Sequence, residues 1–521
     1  MRISTAQYFE TSAANYQRNY SDVIKSQAEA ASGIRVNTGA DDPVGAARLL
    51  QLDQQAAMLK QYDGNATTVK NSLSKSEAVL DSIGDVLQRA RELAVGAGNG
   101  TYTDADRQAN AQELAQIEEQ LLSLMNSKDE NGQYLFSGSK SSTAPYTRNS
   151  DGTYTYNGDQ TTLSLQVGDT QWMATNDTGY NIFEQALNTS RSETALTSPA
   201  VDDGRVALSN GQVSNSALYN SSFRSGEPYT VTFVSSTQLM IKDAAGNDVT
   251  SQASEGGKVN TGADAQTVNF RGVDLTLNVA LQSTDTDADL ALTGHSFTLS
   301  AKADSFTSTR LPGNTSTSVV TNTAITDTAK YHSTFPSGNA VLKFKNASEF
   351  ELYAAPLTAD SKPVAKGSLS GNVATAGGVS FTFSDDVAAG DQFSVAVDTH
   401  QTQNILDSIS QLRQALNTPV EGSAVAAQNF QASLASGIAN LASGQDQLTS
   451  AISSIGARGA ALDIQSATNE SLSGANSTTT ASIRDSDPAE VLTRLTLQST
   501  MLEAAQLAFS KISALSLFNR L

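Results

Sequence analysis

The chain has 521 residues, of which 53 are acidic and 33 basic, so its formal net charge at pH 7 is −20. This negative field repels phosphate backbones and anionic lipid surfaces, and we expect neither nucleic acid nor a membrane as a partner. There is no cysteine, which excludes disulfides, thiolate metal ligands and cysteine nucleophiles. The start of the sequence lacks the apolar segment of a cleaved signal peptide, so we expect a protein made without one.

The first 135 or so residues are rich in Ala, Gln and Leu, which predicts helices. In the first predicted helix, residues spaced alternately by four and three positions form a heptad seam from Phe9 to Ile34. Such a seam is typical of a helix that forms a coiled coil with a partner helix. The seam residues predicted to make assembly contacts are Phe9, Tyr16, Tyr20, Val23 and Ile34.

The stretch SGIRVNTGADDPVG, residues 32–45, separates the first two predicted helices. Gly33 is predicted to end the first helix in a left-handed conformation. Asp42 is the expected N-cap of the second helix and Pro43 its first residue, while Asp41 adds a charge that favours the helix dipole. These adjacent aspartates therefore indicate the start of a helix at a hinge, and not a pair of catalytic carboxylates.

From about residue 140 to residue 398 the sequence is rich in Thr, Ser, Val, Gly and Asp, and its alternation predicts strands. A weak internal repeat aligns YTVTFVSSTQLMI, residues 229–241, with AVLKFKNASEFEL, residues 340–352. The segments RGVDLTLNV and GHSFTLSA likewise resemble GGVSFTFSD and GDQFSVAV, about 100 residues later. The repeat predicts two similar β units, at about 200–305 and 330–398.

Helical patterns return after about residue 400 and end in a second heptad seam. Its residues, with apolar ones that follow, are the second set of expected assembly contacts: Val491, Leu495, Leu502, Phe509, Ile512, Leu515, Leu517 and Phe518. Long seams at both ends of the chain imply that the terminal helices pair with each other or with other copies of the chain.

These patterns predict an α+β multidomain fold in which discontinuous helical domains, built from both ends of the chain, carry an inserted β-rich middle. The expected terminal coiled-coil assembly domain consists of residues 1–40 plus 480–521. A helical rod domain with a β-hairpin region is expected at 41–190 plus 400–479. The β-rich insertion is expected at 191–399.

Acidic clusters in the middle do not form a recognisable metal site. Asp285, Asp287 and Asp289 alternate as in the first half of a calcium loop. The sixth and twelfth positions of that loop are Leu290 and Ser296, so the sharp turn and the bidentate carboxylate are both missing. No phosphate-binding loop or nucleophile elbow is present either. We therefore predict no catalytic residue, no cofactor and no metal, and a protein that is not an enzyme.

Four segments in this order resemble the bacterial flagellin superfamily. They are SGIRVNTGADDPVG, LQRARELAVGAGNGTYTDADRQANAQEL, IGARGAALDIQSATN and SIRDSDPAEVLTRLTLQ. The resemblance covers about residues 1–140 and 400–521. It implies a structural component of the extracellular flagellum that assembles through its terminal helices around an inner coiled-coil layer, with the β-rich middle projecting outward.

Two further segments resemble the member of that family that joins the hook to the filament, NSKDENGQYLFSGSK and the ending FSKISALSLFNRL. The resemblance then implies a ring-like homo-oligomer that contacts a proximal junction protein and flagellin, and an export chaperone that binds the C-terminal helix. A filament flagellin is the alternative within the family. A surface adhesin or glycan-binding protein that uses the β-rich middle is the alternative from another class.

Overall fold

The computed structural model describes residues 2–262, 265–336, 338–358 and 360–518, and for residues 2–6, 8–9, 424–425 and 512–518 it describes the backbone alone. The chain forms two compact units. The terminal unit consists of Met1–Leu73, Ser164–Thr175 and Gly456–Leu521, and the central unit of Ser74–Leu163 and Asn176–Ile455.

The helices of the described residues are long at both ends of the chain and short in the middle. They are α1 Arg2–Ser32, α2 Pro43–Ala97, α3 Asp104–Met125, α4 Gly179–Phe183, α5 Ser216–Leu218, α6 Ala288–Leu292, α7 Thr328–Thr334, α8 Ile405–Asn417, α9 Ala424–Arg484 and α10 Pro488–Phe518. A π-helical turn, Tyr219–Phe223, follows α5 directly.

The first four strands form two small hairpins, the fifth pairs with the last strand of the chain, and the strands between them form the β-rich middle. The strands up to the end of the first large group are β1 Tyr146–Arg148, β2 Tyr154–Tyr156, β3 Ser164–Gln166, β4 Trp172–Ala174, β5 Ala186–Leu187, β6 Ser192–Ser198, β7 Val206–Leu208, β8 Gln212–Val213, β9 Tyr229–Ser235, β10 Gln238–Lys242, β11 Gln266–Phe270, β12 Val273–Val279 and β13 Ser296–Ala301. The remaining strands are β14 Ser305–Arg310, β15 Val320–Ile325, β16 Ala340–Phe344, β17 Glu349–Ala354, β18 Ala365–Ser370, β19 Val373–Ala376, β20 Val379–Phe383, β21 Gln392–Asp398 and β22 Thr402–Gln403.

The terminal unit contains α1, α10, parts of α2 and α9, and the β3–β4 hairpin. Side-chain amides of the two long helices hold this hairpin by its backbone. Asn65 Nδ2 donates to Gln166 O at 2.7 Å, and Asn469 Nδ2 donates to Val167 O at 2.9 Å. Asn469 is buried, so its hydrogen bond also satisfies a polar group that water cannot reach.

The helical part of the central unit has a core of leucines and isoleucines from α2, α3 and α8, including Leu87, Leu114 and Ile409. The start of α3 is a capping box, in which Thr103 Oγ1 accepts from Asp106 N and the Asp106 carboxylate accepts from Thr103 N. Such a box satisfies free amides at the helix start and fixes where α3 begins.

The first β unit is a sandwich of two antiparallel sheets. One sheet has the strand order β10-β9-β13-β6, and the other has the order β11-β12-β7, with β8 also paired to β12. Alternating side chains of β9 and β12 point into the shared core, where Phe223, Tyr229 and Phe270 pack edge to face or tilted.

The second β unit is one eight-stranded antiparallel sheet in the order β14-β21-β16-β17-β18-β19-β20-β15. Its core contains Tyr331 of α7 and the rings of Phe344, Phe381 and Phe393. The sheet begins at Ser305, so this unit starts earlier than the expected residue 330. The sequence pattern missed β14 and β15 because their alternating residues are mainly Thr and Ser, with few apolar side chains to mark a buried face.

Both β units have the same strand connectivity. The path β17-β16-β21-β14 matches β10-β9-β13-β6, and the path β19-β20-β15 matches β11-β12-β7. A short helix precedes the first hairpin strand in each unit, and strand β18 links the two halves of the second unit into one sheet. The weak sequence repeat therefore has a structural counterpart, and the predicted α+β fold with terminal helices and a β-rich middle is confirmed.

Candidate assembly interface

The two terminal helices pack on each other as an antiparallel pair. Tyr16 of α1 stacks on Phe509 of α10 with ring centroids 6.2 Å apart, and Gln506 Nε2 donates to Tyr16 Oη at 3.3 Å. Near the other end of the pair, Glu29 forms an ion pair with Arg494. The first and last parts of the chain therefore form one surface.

The segments that leave α1 and enter α10 are also joined by backbone hydrogen bonds. Arg35 N donates to Arg484 O at 2.6 Å, and Ser486 N donates to Gly33 O at 2.9 Å. The Arg35 guanidinium adds a bond from Nη2 to Ile483 O at 2.6 Å, which uses a carbonyl near the end of α9. These bonds hold the two hinge segments side by side.

The predicted hinge residues lie at the two helix ends that they were expected to form. Gly33 has a φ of +68°, and its N–H donates to Glu29 O at 2.8 Å. The Asp42 Oδ1 atom accepts from Gly45 N at 2.8 Å, and α2 begins at Pro43. A left-handed residue thus ends α1, and a carboxylate caps the start of α2.

Asp41 lies in the turn before α2 and uses its carboxylate within that turn. Its Oδ2 accepts from Thr38 N and from Thr38 Oγ1, each at 2.9 Å. The backbone and side-chain hydrogen bonds from Thr38 lower the pKa of Asp41, which is fully exposed. The contacts of Asp41 thus close the turn, a role that the helix-dipole argument did not include.

The predicted seam residues differ in their exposure on the isolated chain. Val491 is buried and Tyr20 is exposed. The half-buried members are Tyr16, Val23, Ile34, Leu495, Leu502 and Phe509. The side chains of the remaining ones, Phe9, Ile512, Leu515, Leu517 and Phe518, lie outside the described residues.

Sequence reasoning missed a second group of apolar side chains on the same helices, which point away from the seam and are exposed. They are Ile24 of α1 and Leu492, Leu497, Met501 and Leu507 of α10. Their signal in the sequence was the spread of leucines to all sides of α10, which is typical of a helix that is surrounded by partners. Exposed apolar side chains on both helices are typical of surfaces that contact other proteins.

Within the described ranges, no helix combines the length and the apolar character that a membrane crossing needs. In those same residues no group of three or more His, Cys, Asp or Glu side chains is arranged to hold a metal ion. The Asp residues of the calcium-like motif have other contacts, since Asp285 pairs with Arg205 and Asp287 caps α6.

The sequence and the fold of this chain are both similar to those of flagellar proteins. Residues 3–141 match the bacterial flagellin N-terminal helical region. Over 183 residues the chain is 34% identical to flagellar hook-associated protein 3 of Salmonella typhimurium, covering 35% of this chain and 57% of the relative. The protein of the same name from Escherichia coli K12 is 31% identical over 193 residues, covering 37% of this chain and 60% of the relative.

The chain thus spans less than two thirds of the length of these two relatives. In three dimensions it is similar to the crystal structure of a flagellar hook-associated protein 3 from Legionella pneumophila, with a TM-score of 0.52 and 21% sequence identity. That similarity covers 82% of this chain and 97% of the solved chain. At this level of identity the similarity establishes a shared fold, with long terminal helices that bracket a middle region.

Proposed function

We propose that this chain, which is similar to hook-associated protein 3 in sequence and in fold, is a structural component of the bacterial flagellum. It forms the junction layer between the hook and the flagellin filament by self-assembly of its terminal helices. Its work is mechanical, and we expect no catalytic activity. The predicted division into a terminal assembly domain, a helical rod domain and a β-rich insertion is part of this proposal.

The observation that carries the proposal is the α1–α10 pair. One side of each helix contacts the other helix, while leucines, Met501 and Ile24 remain exposed on the outside. Helices of this kind gain most of their stability when they bury apolar surface, so binding of further copies is favourable. The expected contacts include the seam residues at both ends of the chain.

The proposed partners follow from this surface and from the similarity to hook-associated protein 3. They are further copies of the chain in a ring-like layer, a proximal junction protein on the hook side and flagellin on the filament side. Before assembly, the apolar α10 needs protection from aggregation, which supports a chaperone bound to the C-terminal helix. The expected location is the extracellular flagellum.

Deletion of the gene in the source bacterium tests the proposal against the flagellin alternative. We expect hooks to remain, flagellin to appear in the medium and filaments to be absent, because filaments would lack their base. Electron microscopy of the cells and analysis of the medium give the readout, and a plasmid copy of the gene is the control. A strain that still carries filaments, or one that no longer makes any flagellin, would contradict a junction role.

A further inference from the structure

A polar cleft of about 420 Å³ lies in the central unit where the β-rich middle meets the helices. Its walls come from the residues around the start of β6, the connector between β13 and β14, and helices α8 and α9. A volume of this size is within the range of small-ligand sites. The lining consists mainly of hydroxyl and amide side chains, and it includes no carboxylate.

Lys302 is the one charged side chain that lines this cleft. It lies in the connector that follows Ala301, and its N–H donates to Arg191 O at 2.8 Å, which fixes the backbone there. Burial lowers the pKa of Lys302, although the charge of Glu193 opposes this effect. Across the described residues, the Lys302 ammonium makes no hydrogen bond and no ion pair.

Lys302 is half-buried, and no carboxylate of the described residues is close enough to form an ion pair with its ammonium, although the charge of Glu193 acts on it. Burying a charge costs free energy unless an opposite charge or hydrogen bonds compensate it. A bound anion would supply that compensation. A cationic ligand would be repelled by the Lys302 ammonium, and the lining has no carboxylate to bind it.

The rest of the lining supplies hydrogen-bond donors. The Ser192 side chain is almost completely buried, and its Oγ has no hydrogen-bond partner in the described part of the chain. The Asn210 Oδ1 atom accepts from Thr194 N at 3.0 Å, which leaves its amide hydrogens for a ligand. Gln411 and Gln414 of α8 add two exposed amides. Amides and hydroxyls can all donate to an oxygen ligand.

We propose that this cleft binds a small oxyanion, a phosphate or a carboxylate, with the Lys302 ammonium as counter-ion and hydroxyl and amide groups as the remaining donors. The bound anion would connect the β13–β14 connector to α8, and so join the β-rich middle to the helical part of the central unit. Because the ligand binds the folded chain, it also stabilises that chain.

Inorganic phosphate is the first probe, added to the full-length protein at constant ionic strength with chloride as the balancing anion. The methylene signals of Lys302 next to its ammonium, followed by NMR, report binding and the protonation of the group. We expect a saturable shift and a higher pKa for Lys302 with phosphate than with chloride. In Lys302→Met we expect affinity, measured by calorimetry, to fall about tenfold or more.

Lys343→Met is the matched control because it removes the same charge from an exposed lysine on β16. We expect this variant to bind phosphate as the wild type does. Acetate is tested in the same way, to distinguish binding of a carboxylate from binding of a phosphate. Saturable binding of either anion supports the site. If Lys302→Met does not fold, the double variant Gln411→Ala/Gln414→Ala takes its place, with an expected loss of about threefold or more.

Two results would overturn the proposal. One is that neither phosphate nor acetate gives a saturable change beyond that of chloride. The other is that Lys302→Met, folded by circular dichroism, binds with wild-type affinity.

Discussion

Gly33 shows how one residue fixes the path of the terminal helices. Its φ of +68° lies in the left-handed region, and a Cβ added there would meet no atom within 4 Å. A side chain at this position would therefore cost backbone strain without any steric clash. Gly39, six residues later, offers the same open space and has no left-handed φ.

We predict that Gly33→Ala lowers the free energy of unfolding of the terminal unit by about 1 kcal/mol. Gly39→Ala should be neutral or slightly stabilising, because alanine restricts the unfolded chain without strain in the fold. Urea unfolding followed by the fluorescence of Trp172 measures the change in the free energy of unfolding for both variants. Trp172 is the one tryptophan of the chain and lies in the terminal unit. Equal effects of the two substitutions would refute the role of the left-handed conformation.

Glu184 and Asp407 are two carboxyls whose environment in the central unit favours their protonated forms. Burial raises the pKa of Glu184 to about 7. Hydrogen bonds from Tyr146 and Asn404 stabilise the carboxylate and oppose this rise. Burial likewise raises the pKa of Asp407 to about 6, although Tyr154 N donates to its Oδ1 at 2.9 Å. Neither residue belongs to a sequence motif, so their burial could be known only from the fold.

The raised pKa of Glu184 predicts that the central unit loses stability as the pH rises. The folded state keeps a proton that the unfolded chain releases above about pH 4.5, so stability falls between about pH 4.5 and pH 7. The shift from 4.5 to about 7 corresponds to about 3 kcal/mol at most. Glu184→Gln should remove this part of the pH dependence in urea unfolding followed by circular dichroism. Glu119→Gln, at an exposed carboxyl, should not, and an unchanged slope in Glu184→Gln would count against the burial argument.

At the scale of whole elements, spacing alone predicted that α1 and α10 each pack on a partner helix, and the structure shows that they pair with each other. Alternation by four and three residues places Tyr16 and Phe509 on seams that face a partner helix, and these two rings stack. Leu497 and Leu507, which are exposed, do not follow that spacing. Periodicity identifies a helix with one partner more readily than a helix with several.

We predict that Leu502→Asp prevents incorporation into the flagellum while the central unit keeps its fold. Leu502 is half-buried on α10, and a carboxylate there would place a charge on the predicted apolar seam. The free energy of unfolding of the central unit should stay within about 0.5 kcal/mol of wild type, because Leu502 belongs to the terminal unit. Assembled protein is measured by immunoblotting of purified hook–filament preparations.

Thr500→Asp is the control for this change, because it adds the same charge to an exposed polar position of α10. We expect this variant to assemble. Wild-type motility and normal amounts of assembled Leu502→Asp protein would contradict the assembly role of the seam.

At the scale of the whole molecule, the β-rich middle is built twice from one strand plan. The repeat could be read from the sequence where apolar alternation is strong, as in residues 229–241 and 340–352. The sequence repeat could not show strand β18, Ala365–Ser370, or how the two β units are joined. The contacts that join these β units are polar and come from distant positions in the sequence. The assembly helices and the strand repeat were thus predictable, and the contacts between the two β units were not.

Those joining contacts centre on Asp304, which follows the first unit and directly precedes β14. Its two carboxylate oxygens accept from Arg224 Nη1 and Nη2 at 3.0 and 2.8 Å, and Tyr331 of the second unit donates its hydroxyl to Oδ2. The Asp304 side chain is almost completely buried. One carboxylate therefore binds side chains from both β units.

Removing the cation from this buried pair should cost much more than removing the pair as a whole. Arg224→Met leaves the Asp304 carboxylate buried with the Tyr331 hydroxyl as its remaining side-chain donor, so we predict a loss of about 3 kcal/mol in the free energy of unfolding. In Arg224→Met/Asp304→Asn the residue at position 304 is neutral and the nearby Glu227 keeps its contact with His332, so part of that loss should be recovered. Urea unfolding of the wild type, both single variants and the double variant measures the coupling directly. If the two single effects simply add, Asp304 does not join the two β units electrostatically.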